Sequence, residues 1–294
     1  MFYEHPSFKF KKSQGVHLES AIVVLNPAAS KRLIAKAIAK LPEVKAALNK
    51  GTVVIGWGTT TAYVVEEILG MTIDYKTDFA SGVVCNGELN SVHPEIKIMP
   101  FVLKDGKPSD IHQKTALDEF MPEDVFIKGA NSVDLNGDIG ILVAAQHGGS
   151  ISHAWFAVAG RGSHFICPVG LEKLIPSVRD AANKCCFYRY KYSTGVPVSQ
   201  VAFQNAKVVT EIQAVQILTG ADATHVASGG IAGSEGAITL VLEGEAQALE
   251  EAFELIKGIR TEPPLPPGRR LLTPSPESLN YEAKKLLQDY EWAR

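Results

Sequence analysis

A chain of 294 residues is long enough for one large domain or two ordinary ones, with a sizeable buried core. It is 46% hydrophobic and 21% charged, and its 29 basic against 32 acidic residues leave no electrostatic footprint for nucleic acid. No apolar run approaches the length needed to span a bilayer, so neither nucleic acid nor membrane is an expected partner.

The first residues, Met1-Phe-Tyr-Glu-His-Pro6, lack the basic-then-apolar pattern of a secretory leader, and a cytoplasmic location is expected. Residues 1–20 read as an arm wrapping the body. Ile22–Leu25 reads as a strand stopped by Asn26-Pro27. From Ala28 to Lys50 the residues Leu33, Ile34, Ala37, Ile38 and Leu41 form an apolar stripe, predicting an amphipathic helix interrupted or restarted at Pro42.

The stretch Gly51–Gly70 carries the strongest signal. Thr52–Ile55 is a β-branched run suited to a strand buried on both faces, and Gly56-Trp-Gly-Thr-Thr-Thr61 is a tight turn. Ala62, Val65, Ile68 and Leu69 then fall at helical spacing before a Gly70 stop. Glycines let a backbone approach an anion, and hydroxyls and unpaired N–H groups at a helix start supply donors. Gly56, Gly58, Thr59, Thr60 and Thr61 are therefore candidate ligands for a phosphate, although such turns also serve as plain short connections.

Further short apolar runs follow at Gly82–Cys85, Asp124–Ile127, Ile139–Ala144 and Ser163–Cys167, with a hairpin expected at Lys104–Lys107 and a helix at Ile151–Ala159. The alternation predicts an α/β fold: a mostly parallel sheet with helices on both faces. Gln146-His-Gly-Gly-Ser-Ile-Ser-His153 offers His147, Gly148, Gly149 and Ser150 as a ligand loop, or merely a turn capped by Ser150. Tyr188, Tyr190 and Tyr192 alternate with basic residues, predicting a strand with one wet face. Residues 193–260 then read as strand (196–203), helix (208–218), strand (223–227), a Gly-rich connection, strand (237–242) and helix (246–258), a small α+β, ferredoxin-like lobe. Six of the sixteen prolines lie between Pro263 and Pro276. They predict a stiff arm over 261–294 that closes in a helix capped by Ser275 and docks on the body or on a second subunit. The expected organisation is thus residues 1–192, 193–260 and 261–294.

Cys85, Cys167 and the adjacent Cys185 and Cys186 show no metal or redox spacing; buried reduced thiols are expected, with no metal site and no cofactor.

Val54-Ile-Gly-Trp-Gly-Thr-Thr-Thr-Ala-Tyr63 resembles the phosphate loop of ribose-5-phosphate isomerase type A, whose pattern is Gly-Leu-Gly-Thr-Gly-Ser-Thr. Lys128-Gly-Ala-Asn-Ser-Val-Asp134 is similar to that family's Asp-Gly-Ala-Asp-Glu-Val-Asp. His147-Gly-Gly-Ser150 sits where the family has a glycine run, and Phe165–Lys173 is similar to its strand and following Asp-Glu-Ser-Lys. The resemblance spans residues 30–175 in order. It implies the fold shared by those isomerases, glucosamine-6-phosphate deaminases and CoA transferases, and a homo-oligomer (dimer or tetramer).

The departures carry equal weight. The family's two active-site acids are Lys128 and Asn131 here, and only Asp134 keeps its carboxylate. The family's proton-shuttling helix carboxylate falls near His153, and its Ile-Lys-Gly lysine has no equivalent. Aldose–ketose isomerisation needs a base beside the carbon that loses its proton, and Lys128 serves only with a strongly depressed pKa. The expected function is binding, with or without conversion, of a small phosphorylated metabolite of the sugar-phosphate class. Lys128, Asp134 and His153 are the candidate catalytic groups, and Asn131 and the 147–150 loop further ligands. Two alternatives stand beside it. One is acyl-CoA chemistry through Glu88 in Asn86-Gly-Glu-Leu-Asn90, where a turn glutamate is the plainer reading. The other is a sensor or structural protein without catalysis.

Overall fold

The computed structural model describes residues 1–4, 18–145 and 147–272. The greater part of the expected N-terminal arm, Gln146, and the terminal helix expected after Ser275 lie outside the described residues.

Strand β1 (Glu19–Leu25) ends where Asn26 caps the next helix: its side chain accepts from Ala29 N at 2.8 Å, and Pro27 occupies the first helical position. Helices α1 (Pro27–Ile38) and α2 (Pro42–Asn49) are separated at Pro42 as the sequence predicts. Strand β2 (Thr52–Ile55) leads through the Gly/Thr turn into α3 (Thr59–Leu69), which Gly70 closes at φ 64°. Next come β3 (Gly82–Cys85) and β4 (Glu88–Val92), then β5 (Phe101–Lys104) and β6 (Lys107–Ser109). Both hairpins turn on an Asx-Gly pair with positive φ, 55° and 78° at Asn86-Gly87 and 48° and 74° at Asp105-Gly106, as a tight hairpin turn requires. Glu88 therefore opens a strand rather than sitting in the turn.

The chain continues through α4 (Gln113–Asp118), β7 (Val125–Ile127), β8 (Ser132–Val133), β9 (Ile139–Val143), α5 (Ser150–Arg161), β10 (His164–Pro168) and α6 (Val178–Lys184). It ends with β11 (Ser199–Phe203), β12 (Lys207–Val209), α7 (Glu211–Thr219), β13 (Asp222–Ser228), β14 (Ile238–Gly244), α8 (Ala246–Ile259) and β15 (Leu271–Leu272).

The central sheet has the order β12-β10-β7-β2-β5-β6 and is mixed. The first four strands are parallel, whereas β5 returns antiparallel to β2 and carries β6 with it, so the expectation of a mostly parallel sheet holds only for that half. Successive residues divide between two cores. Val53, Ile55, Val125, Ile127 and Ile166 pack with α1, α2, α3, α7 and α8, while Val54, Phe126, Phe165 and Cys167 pack with α4, α5 and the antiparallel sheet β11-β9-β8.

Residues 193–260 contribute to three sheets. β11 pairs with β9, β12 joins β10, and β14 lies between β13 and the N-terminal β1. The helix expected from Val208 begins at Glu211 because Lys207–Val209 is the outer parallel strand, and Thr210 and Gln213 form a capping box. The strand expected from Val196 starts at Ser199, beyond Pro197, which has no N–H to give a ladder.

The tyrosine stripe is not a strand. Tyr188, Tyr190 and Tyr192 are exposed, Arg189 N closes a turn on Cys186 O at 2.9 Å, and Tyr188 packs at a tilt against Phe187 with ring centroids 4.4 Å apart.

Of the cysteines only Cys167 is fully buried; the other three are half-buried, and all four are free. Among the described residues no helix is long and apolar enough to cross a membrane.

Candidate functional site

Parallel strands deliver their following loops to one edge of a sheet, where ligands of open α/β sheets bind. Here Trp57–Thr60 follow β2, Lys128–Asn131 follow β7, and Glu172 and Lys173 follow β10. These loops surround a cleft of about 710 Å³. Its far wall comes from β3, β4, β9 and the start of α5, and Leu265–Gly268 of the Pro-rich segment lies along its rim.

Two helices open on this cleft, and both begin on glycine without a side-chain cap: Gly58 before α3 and Gly149 before α5. Their first N–H groups have no intrahelical partner, and the aligned peptide dipoles make both ends positive. Gly149 (φ 60°) follows Gly148 (φ 73°), a backbone path that side-chain-bearing residues rarely take. Gly58 is required for a different reason, since a Cβ there would lie 2.9 Å from Thr61 Oγ1.

Among the described residues the cleft's charged lining consists of three lysines and one carboxylate. Lys31 Nζ, on α1, pairs with Glu172 Oε1 at 2.8 Å and donates to Pro27 O at 3.2 Å. Lys173 Nζ donates to Ala130 O at 2.8 Å, and burial together with the nearby Lys31 charge pulls its pKa below the usual lysine range. Lys128 Nζ donates to Trp57 O at 3.2 Å, at the threshold of α3. Lys128 keeps some surface open to the cleft, but the protein surrounding its ammonium removes enough water to lower its pKa from 10.5 to about 8, with Lys173 adding repulsion. A surplus of cations beside two helix N-termini suits an anion.

The structure brings together Gly58, Thr59, Thr60, Lys128, Asn131, Gly148, Gly149 and Ser150. It sends the other candidates elsewhere. Gly56 stays behind the turn, its N–H bonded to Ile127 O at 2.8 Å. Thr61 is buried, with Oγ1 2.7 Å from Gly56 O and 2.9 Å from Gly58 O, so its hydroxyl braces the turn. Asp134 is 1% exposed and fully engaged: Oδ1 accepts from Asn136 N and Asp138 N, and Oδ2 from Val178 N at 2.9 Å. His153 turns to α4, with Nδ1 3.3 Å from Asp118 Oδ1. His147 is exposed in the loop before α5 and does not line the cleft. Glu88 also stays out of the lining, although its neighbours Cys85 and Leu89 belong to it.

Sequence reasoning passed over Lys31 and Lys173 as site residues. Lys31 had a readable signal: it lies three residues before Ile34 and seven before Ile38, a cation on the apolar stripe of α1 and 6% exposed. Lys173 closes the stretch that resembles the family's Asp-Glu-Ser-Lys, but only the fold brings the turn after β10 beside Lys128. The Gly229–Gly236 connection reaches the cleft through Gly236, where a Cβ would meet Glu172 Oε2 at 3.2 Å.

Among the described residues no group of His, Cys, Asp and Glu side chains could hold a metal ion. Burial pushes the Cys167 thiol up to about 12, which keeps it protonated and unreactive. Compared with protein-family models, with curated proteins and with solved structures, the chain finds no match.

Proposed function

We propose that this protein binds a small phosphorylated metabolite of the sugar-phosphate class in the cleft at the carboxyl ends of β2, β7 and β10. The observation that carries the reading is the convergence of two uncapped helix starts and three lysines, opposed by a single carboxylate, on one cavity of about 710 Å³. The phosphate sits at Thr59 and Thr60, where backbone N–H groups and hydroxyls donate to it. Charge-assisted bonds of this kind contribute roughly 1.5–3 kcal/mol each before competing costs.

The likeness to the isomerase, deaminase and CoA-transferase group, with a ferredoxin-like lobe and a homo-oligomeric assembly, belongs to the same reading. Isomerisation by the family's usual acids does not: Asp134 is engaged by three backbone N–H groups and His153 by Asp118, so of the three candidate catalytic groups only Lys128 lines the cleft. No observation favours acyl transfer through Glu88.

The test is thermal unfolding of the full chain with sugar phosphates, their dephosphorylated forms and inorganic phosphate. Ligand at about a hundred times its Kd stabilises by about 2.7 kcal/mol, so phosphorylated compounds should raise Tm and their dephosphorylated forms should not. A Tm indifferent to all of them at millimolar concentration refutes the proposal.

A further inference from the structure

Within the cleft, Lys31 is neutralised by Glu172, but among the described residues no carboxylate lies within ion-pair distance of Lys128 or Lys173. Lys128 Nζ makes one hydrogen bond, as donor to Trp57 O, and Trp57 immediately precedes the glycine that opens α3. An amine so placed keeps its orientation whether charged or neutral, since the donated hydrogen survives loss of the proton. Of the groups packed around it, Lys173 comes from the turn after β10 and Cys167 from β10 itself. Cys167 remains a neutral thiol, so the charge that Lys128 feels is that of Lys173. Desolvation beside a second cation is the arrangement that turns lysine into a nucleophile near neutral pH.

We propose that Lys128 is an imine-forming lysine: its Nζ condenses with the aldehyde or ketone carbon of a small phosphorylated carbonyl compound held in the cleft, and Lys173 is the positioning charge that keeps Nζ reactive. This inference rests on the phosphate-binding reading. In the step itself the neutral amine attacks the carbonyl carbon and the carbonyl oxygen gains a proton, giving a carbinolamine. The nitrogen lone pair then expels that oxygen as water, leaving a C=N bond that carries one positive charge when protonated. The cationic imine draws electrons from the adjacent carbon. At pH 7 a lysine with a pKa of about 8 has on the order of a hundredfold more neutral amine than an ordinary one.

The experiment treats the full chain with glyceraldehyde 3-phosphate or dihydroxyacetone phosphate, and separately with glyceraldehyde or dihydroxyacetone, in the presence of cyanoborohydride, followed by peptide mapping. The expected adduct is concentrated on Lys128, about tenfold or more above other lysines, needs the phosphate, and has a pH midpoint that the bound phosphate lifts above 8 but that stays below the ordinary lysine range. Lys128→Arg should lose it while retaining a cooperative melting curve. Lys173→Met should move the midpoint upward, and Lys173→Arg should restore it. Labelling spread over surface lysines with Lys128 unmodified, or a Lys128 midpoint in the ordinary lysine range, overturns the proposal. A midpoint unmoved by Lys173→Met overturns the role of Lys173. Phosphate-dependent thermal protection without a Lys128 adduct removes the imine and leaves the binding reading. Equal Lys128 labelling by phosphorylated and plain carbonyls removes the phosphate reading and leaves the imine.

Discussion

Arg269 closes over Asp78 across 191 residues of sequence, its Nε donating to Asp78 Oδ2 at 2.8 Å and its Nη2 donating to the same oxygen. Asp78 is fully buried, and among the described residues its other oxygen, Oδ1, has no hydrogen-bond partner, so Arg269 is what balances that charge. The pair fastens the Pro-rich segment beside the cleft. Thr77 Oγ1 donates to Pro266 O at 2.6 Å on one side, and β15 pairs with β4 on the other.

Arg269→Ala should therefore destabilise the fold by about 1–3 kcal/mol, because it strands a buried carboxylate, with the half-exposed guanidinium keeping the loss below that of a fully buried pair. It also removes the guanidinium from its seat 4.1 Å above the Tyr75 ring. Urea unfolding checks the magnitude. An unchanged midpoint would mean that the segment is held by its backbone contacts alone.

Thr60 and Thr61 are neighbours with different work. Thr61→Val deletes the hydroxyl that braces Gly56 O and Gly58 O, and should lower stability by about 1–3 kcal/mol with or without phosphate. Thr60→Val should leave unliganded Tm nearly unchanged and weaken the phosphate-induced rise. Melting curves of both variants with and without phosphate separate the two roles, and an exchange of effects would place the anion elsewhere.

Anion affinity should fall as pH rises through about 8, where Lys128 loses its proton. The bound anion favours the charged lysine, so binding should also raise the pH at which that proton leaves. Calorimetric titration with phosphate between pH 7 and 9.5, in buffers of different ionisation enthalpy, measures both the affinity and the proton uptake. Binding without proton uptake above pH 8 would remove Lys128 from the anion's surroundings.

Acid should loosen the α1–α3 junction. Burial alone would raise the Glu66 pKa, but hydrogen bonds from Lys76, Ile73 N and Arg32 outweigh it and hold the carboxyl below its ordinary value. A group depressed on folding adds stability above its unfolded pKa, and that contribution disappears as pH falls through the folded one. Tm should therefore decline from about pH 4.5 downward, more steeply in the wild type than in Glu66→Gln. Parallel slopes for the two proteins would show that Glu66 contributes nothing to acid unfolding.

What could be read in advance follows from range. The strand stop at Asn26-Pro27, the Pro42 break, the Gly70 stop and the Asp105-Gly106 hairpin are decided by neighbours within a few residues, and all four stand in the structure. The Thr210–Gln213 capping box is equally local, but the apolar Val208-Val209 before it fits a helix as well as a strand, and only pairing with β10 decides. Pairing partners are not local. Nothing around Phe101 says that β5 returns antiparallel to β2, and nothing around Lys173 says that it faces Lys128. The same divide runs through the site: Thr59 and Thr60 were identifiable from their place at a helix start, whereas the engagement of Asp134 with Val178 N, 44 residues on, was not.

Strand β1 pairs along its whole length with β14, Glu19 opposite Gly244 and Leu25 opposite Ile238. During synthesis, then, β1 must wait until more than two hundred further residues have followed before its partner exists. Val23 and Leu25, both buried in the finished molecule, have no ladder to join in the meantime. Loop closure over that span is costly and slow, so this small sheet is a late event in folding. A nascent chain stalled before Ile238 has an unpaired strand edge to offer to chaperones or to a neighbouring chain.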